Sequence, residues 1–137
     1  MAKSQAEKAA AFEALHKAPG VFVIPNPWDP GSARMLAGLG FKALTTTSAG
    51  YARSIGFPDY NAGRAHVMAH IRAMAPMVDV PLAADLEDGF GPSPEDCAET
   101  IRQGAEAGLV GGSIEDFTGD RGDPIHSIEN AAERVRA

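Results

Sequence analysis

Apolar positions recur along the chain with two alternating periods. Ser4 to Lys17 places Ala9, Phe12 and Leu15 or His16 on one helical face, and Pro19-Gly20 ends that segment before the apolar run Val21–Ile24. That run predicts a buried strand. Asp29 is a good N-cap and Pro30 suits a first helical position, so a helix is predicted from there to about Leu39. Phe41–Thr47 reads as a second strand with a polar end, and Ala49–Asn61 as a long loop. Helical spacing returns in Ala62–Ala75 through Val67, Met68, Ile71 and Met74, and Pro76 stops it. Val78–Ala84 predicts a third strand, the segment from Ser93 to Gly108 a capped helix, and Leu109–Ile114 a fourth strand. Ser127 opens a helix still running at Ala137.

Four strands alternating with helices imply right-handed crossovers and a parallel sheet covered on both faces. Ligands in such folds bind at the carboxyl ends of strands. Here those ends carry Asn26-Trp28, Thr47-Ser48, Asp85-Glu87 and Glu115-Asp116. No glycine fingerprint opens a helix after the first strand, which favours a (β/α) barrel over a dinucleotide-binding sheet. An eight-unit barrel takes about 250 residues. The expected architecture is therefore an α/β fold of the (β/α)8 TIM-barrel type with about the first four units present, in one domain over residues 1–137 behind an N-terminal helix. Such a half barrel is either a piece of a longer chain or one of two halves that pair to cover open sheet edges.

Composition narrows the chemistry. The formal net charge of −6 supplies no basic field for nucleic acid or an anionic membrane surface. The N-terminus lacks a signal-peptide core and no stretch is long enough to span a bilayer, so a cytoplasmic protein is expected. A single cysteine, Cys97, excludes an internal disulfide and is read as packing. Any metal must be held by oxygen or imidazole. Asp85 and Glu87 stand two apart, which on a strand sends both side chains to one face and Leu86 to the other. Two hard oxygen donors suit Mg2+, which keeps several waters, and Glu115 from the neighbouring strand end could add a water-mediated contact. A solvated acidic turn is the plainer explanation of the same residues.

Thr47-Ser48-Ala49-Gly50 offers hydroxyls and backbone N–H groups that suit a carboxylate or phosphonate, or an ordinary polar turn. Asp59 lies in a Gly-Phe-Pro-Asp turn of the long loop, in lid position or as a structural turn aspartate. Trp28 beside Asp29 fits a pocket wall or a helix start. His66 and His70 share a helical spacing of four but lack a third ligand, and both are expected at the surface.

Taken together, the stretches 25–33, 46–50, 56–59, 84–91 and 114–116 resemble the isocitrate lyase / phosphoenolpyruvate mutase superfamily, over roughly the first half of a member. The resemblance implies a (β/α)8 barrel, usually a homo-oligomer, and a magnesium-bound 2-oxo or enol acid substrate. It implies Asp85 and Glu87 as strand-three metal ligands, Asp59 as the gating-loop aspartate and Glu115 as the strand-four carboxylate. It also makes Ser48, Ala49 and Gly50 the turn that grips the substrate carboxylate. Two departures stand out. The lyase branches carry Lys-x-Cys-Gly-His after strand four, where this chain has Thr118-Gly119-Asp120-Arg121-Gly122, which puts a thiol-dependent cleavage in doubt. Aspartate often occupies the position of Glu87. The implied activity is lyase or mutase chemistry through an enolate (C–C cleavage, decarboxylation or phosphoryl rearrangement), with a half barrel that only binds or assembles as the rival.

Overall fold

The fold is known from a computed structural model that describes residues 2–137. Among the described residues six α-helices and three strands follow in the order α1 (Gln5–Lys17), α2 (Pro30–Gly38), β1 (Leu44–Thr45), α3 (Ser48–Ser54), α4 (Gly63–Met74), β2 (Leu82–Asp85), α5 (Pro94–Glu106), β3 (Gly111–Ser113) and α6 (Ile128–Arg136). Local chemistry fixes most starts. Ser4, Asp29 and Ser93 each close a capping box, with Glu7, Ser32 and Asp96 respectively, and Thr47 and Ser127 cap α3 and α6 through their hydroxyls.

The strands form one parallel sheet in the order β1-β2-β3, with Leu44 opposite Leu82 and Asp85 opposite Ser113. Hydrogen bonds continue past the strand ends: Leu86 N–H donates to Ser113 O at 3.1 Å and Glu115 N–H to Glu87 O at 2.7 Å. Parallel strands end on the same side, so the segments after β1, β2 and β3 gather along one edge. Leu44, Leu82, Ala84 and Leu86 pack with Val67, Met68, Ile71 and Met74 of α4 in the core. At the other end of the sheet, Gln5 of α1 donates to Ala105 O and Leu109 O, and Lys8 donates to Val78 O at 2.6 Å.

Three expectations are corrected. Val21–Ile24 is not a strand: one ladder contact ties the segment to the sheet, Thr45 N–H to Pro25 O at 3.2 Å, and Val21 is fully exposed. Pro25 and Pro27 have no N–H to donate, which limits pairing where the run ends. The fourfold alternation therefore appears as three paired strands. Secondly, the long loop contains a helix, α3, which Thr47 starts by accepting from Gly50 N–H at 3.1 Å. Thirdly, His70 is buried, its ring stacked on Tyr51 of α3 at 3.9 Å, while His66 is exposed. The helix missing from the sequence reading is the surface that covers His70. Among the described residues no helix is long and apolar enough to cross a membrane.

Candidate metal centre

Asp85 ends β2 and is gripped on both oxygens. Its Oδ2 accepts from Ser48 N–H at 3.1 Å and Ser48 Oγ at 2.7 Å, and its Oδ1 accepts from Glu87 N–H at 3.1 Å. A carboxylate offers about four lone-pair positions, so three bonds leave Asp85 oriented with one open. Glu87 lies beyond the strand with φ +50°, so a turn, and not strand alternation, sets its direction. Leu86 and Glu87 are both buried, Glu87 at 2% exposure.

The Glu87 carboxylate is the unusual group of this edge. Its Oε1 is buried without a hydrogen-bond partner. Burial, followed by the negative charges of Asp85, Asp59, Asp88 and Glu115, pushes its pKa up to about 7. The charges that act on it most strongly are acidic. A buried carboxylate oxygen aimed at no donor, beside an oriented aspartate with an open position, fits a hard cation. Among the described residues no three His, Cys, Asp or Glu side chains converge as a closed metal cage. Two carboxylates would leave most of an ion's coordination sphere to water, which Mg2+ accepts.

The remaining expected residues fall around this centre unequally. Glu115 follows β3, and its Oε2 accepts the hydroxyl of Tyr60. Burial first, then the bond to Glu115, pushes the Tyr60 phenol well above its ordinary range. Tyr60 sits at φ +63° and packs edge-on against Phe117 at 5.0 Å, so the loop bearing Asp59 is held over the end of β3. Asp59 accepts from Tyr60 N–H at 3.2 Å, and its charge reaches Glu87. An open groove of about 670 Å³ borders Tyr60, Ile114, Glu115 and Phe117. Ser48, Ala49 and Gly50 form the first turn of α3, with both donors of Ser48 on Asp85 and the Gly50 N–H on Thr47 Oγ1. Trp28 is half-exposed, and its backbone N–H donates to Ser32 Oγ at the start of α2. Cys97 is buried beneath the acidic turn, with Sγ 3.7 Å from Asp88 O, and burial raises its thiol pKa; it packs, as expected. A separate cavity of about 510 Å³ between α1, α5 and β3 has no titratable side chain in its lining.

Comparison with known proteins decides the family. The sequence profile described as phosphoenolpyruvate phosphomutase matches residues 12–137. The chain belongs to the phosphoenolpyruvate phosphomutase family. Its relatives include the probable 2-methylisocitrate lyase 2 of Corynebacterium glutamicum, 30% identical over 80% of this chain and 36% of the lyase. A lyase/mutase candidate from Burkholderia cenocepacia J2315 has a crystal structure that superposes with TM-score 0.93 at 54% identity, over 96% of this chain and 47% of that one. A phosphonopyruvate hydrolase crystallised with oxalate and Mg2+ shares the fold, with TM-score 0.88 at 24% identity over 93% of this chain and 46% of that one. The chain spans less than half the length of these relatives. Resemblance to the isocitrate lyase / phosphoenolpyruvate mutase superfamily is thereby established, as is a parallel α/β fold of that kind.

Sequence reasoning singles out Asp85, Glu87 and Glu115 as candidates and passes over Tyr60, Arg64 and Arg134, which engage the same edge. Tyr60 adjoins Asp59 and was within reach. The two arginines lie in helices with nothing in their sequence neighbourhood to mark them.

Proposed function

We propose that this sheet is part of a (β/α)8 barrel, residues 1–137 supplying about four of its units. We further propose that the acidic edge serves a magnesium-dependent lyase or mutase acting on a small 2-oxo or phosphoenolpyruvate-like acid. The observation that carries this reading is Glu87: a buried carboxylate with one unbonded oxygen, among four other acidic groups, at the carboxyl end of a parallel sheet. Membership in a family of phosphomutases and lyases supplies the reaction class.

In this reading Asp85 and Glu87 hold the ion, with Asp85 kept in aim by Ser48. When bound, the ion supplies positive charge beside a substrate oxygen on which negative charge grows toward an enolate. Glu115, joined to the Tyr60 hydroxyl, and Asp59 in the loop above it move protons at the substrate. The turn of Ser48, Ala49 and Gly50 receives the substrate carboxylate at the start of α3 through Ala49 N–H, the Ser48 and Gly50 donors being held by Asp85 and Thr47, and Trp28 walls the mouth. Cys97 does not serve as the acid: it is buried under the turn with a raised thiol pKa, and residues 118–122 contain no thiol. We also propose a homo-oligomer working in the cytoplasm.

A magnesium-dependent assay of 2-oxo acids, 2-methylisocitrate and phosphonopyruvate tests the function. Turnover is expected in the wild type and its loss in Asp85→Ala with the fold retained. Undiminished activity in that variant removes the site assignment, and ligand binding without turnover in the wild type favours a binding or assembly module.

A further inference from the structure

The turn that carries Glu87 has a costly backbone. Glu87 and Phe90 are non-glycine residues with φ of +50° and +58°, and Gly89 lies between them at +86°. L-residues are disfavoured in this left-handed region and persist where surrounding contacts impose them. Here the contacts are side chains on two helices. Arg134 of α6, 3% exposed, donates from Nη1 to Pro92 O at 2.8 Å and from Nη2 to Gly91 O at 3.0 Å and to Asp88 O. Arg64 of α4 donates from Nη2 to Phe90 O at 3.0 Å and to Gly89 O at 3.5 Å, and pairs with Asp96 at 3.3 Å. Thr100 of α5 adds a bond of 2.6 Å to Gly89 O. Five consecutive carbonyls, from Asp88 to Pro92, are thus satisfied by side chains rather than by a strand or helix partner.

We propose that Arg134 is a positioning residue for the Glu87 carboxylate, acting by holding the carbonyls of Asp88, Gly91 and Pro92; the inference rests on the reading of Asp85 and Glu87 as metal ligands. Several observations favour this role over simple packing. Arg134 lies over 40 residues from the turn and is the side chain that bridges its two ends, Asp88 and Pro92. Asp88 directly follows Glu87, so the bond to its carbonyl fixes the Asp88–Gly89 peptide one residue beyond Glu87, while Glu115 N–H holds the Glu87 carbonyl itself at 2.7 Å. The hydrogen bonds of Arg134 at this turn all go to backbone carbonyls and none to the Glu87 carboxylate, so the arginine serves through the backbone. A planar guanidinium spans carbonyls at fixed angles; a lysine ammonium, a point charge on a flexible stem, cannot do so in the same way.

The test titrates Mn2+, as a magnesium substitute, into the intact protein carrying Arg134→Met or Arg134→Lys, with hydrogen exchange of residues 86–92 measured in parallel. Leu109→Ala, a buried substitution in the segment between α5 and β3, serves as a stability control. Loss of an outer contact to a metal site costs about 10–100-fold in affinity. Arg134→Met is expected to weaken Mn2+ binding about tenfold or more and to speed exchange in 86–92. Arg134→Lys is expected to give a smaller loss in a folded protein, and Leu109→Ala to lower the melting temperature with Mn2+ affinity unchanged. Wild-type affinity in both arginine variants overturns the positioning role while leaving the metal site standing. Equal weakening by Leu109→Ala reduces Arg134 to a structural contact and overturns the role as well. Absence of Mn2+ binding by the wild type overturns the metal reading and this role together.

Discussion

Glu87 sits where its own charge is opposed by burial and by Asp85, Asp59, Asp88 and Glu115. In the metal-free protein its folded pKa of about 7 exceeds the ordinary value of 4.5, so the folded state binds a proton that the unfolded chain has released between those limits. The stability it contributes is fully present below about pH 4.5 and is lost as pH rises through 7. Glu87→Gln is therefore expected to melt higher than the wild type at pH 8 and to match it near pH 4, by thermal unfolding in chelator. A constant offset across that range would show that the carboxyl does not titrate as described. The sequence disclosed the acidic pair because two carboxylates follow a short apolar run ending at a strand terminus. It could not disclose why Glu87 is buried, because that depends on a left-handed turn and on packing that a local stretch of sequence does not contain.

At the level of elements, caps were legible and covers were not. Asp29 with Pro30, and Ser93 with Pro94, mark helix starts by chemistry confined to four residues. By contrast, α3 is short and rich in Ser, Ala and Gly, and its place depends on Asp85 binding Ser48 and on Tyr51 stacking against His70. Val21–Ile24 has strand composition, yet none of its residues is buried, and the sheet contact beside it, Thr45 N–H to Pro25 O, falls on a proline. The acidic turn gives the sharpest expectation at this scale. A Cβ on Gly89 would lie 2.6 Å from Cys97 Sγ and 3.3 Å from its Cα, and the φ of +86° already disfavours an L-residue. Gly89→Ala is expected to cost about 2 kcal/mol or more in chemical denaturation, from overpacking and backbone strain combined. A cost below about 0.5 kcal/mol would show that the turn and α5 can move apart freely.

For the whole molecule, the decisive relation is between a sheet and the end of it that bears charge. Parallel pairing of β1, β2 and β3 brings Ser48, Asp85, Glu87 and Glu115 to one edge, while α1 closes the other through Gln5 and Lys8. That arrangement was readable from the alternation of helices and strands; the number of paired strands was not, since pairing depends on neighbours as well as on composition. Family membership extends the same logic, because sequence and fold agree across residues 12–137. The most direct measurement is a titration of Mn2+ followed by loss of the free-ion electron paramagnetic resonance signal at pH 8. It would compare the wild type with a protein carrying both Asp85→Ala and Glu87→Gln, with far-ultraviolet circular dichroism confirming the fold of each. Saturable binding at one site per chain in the wild type and none in the double variant is the expected result; equal binding by both proteins, or none by the wild type, would contradict it.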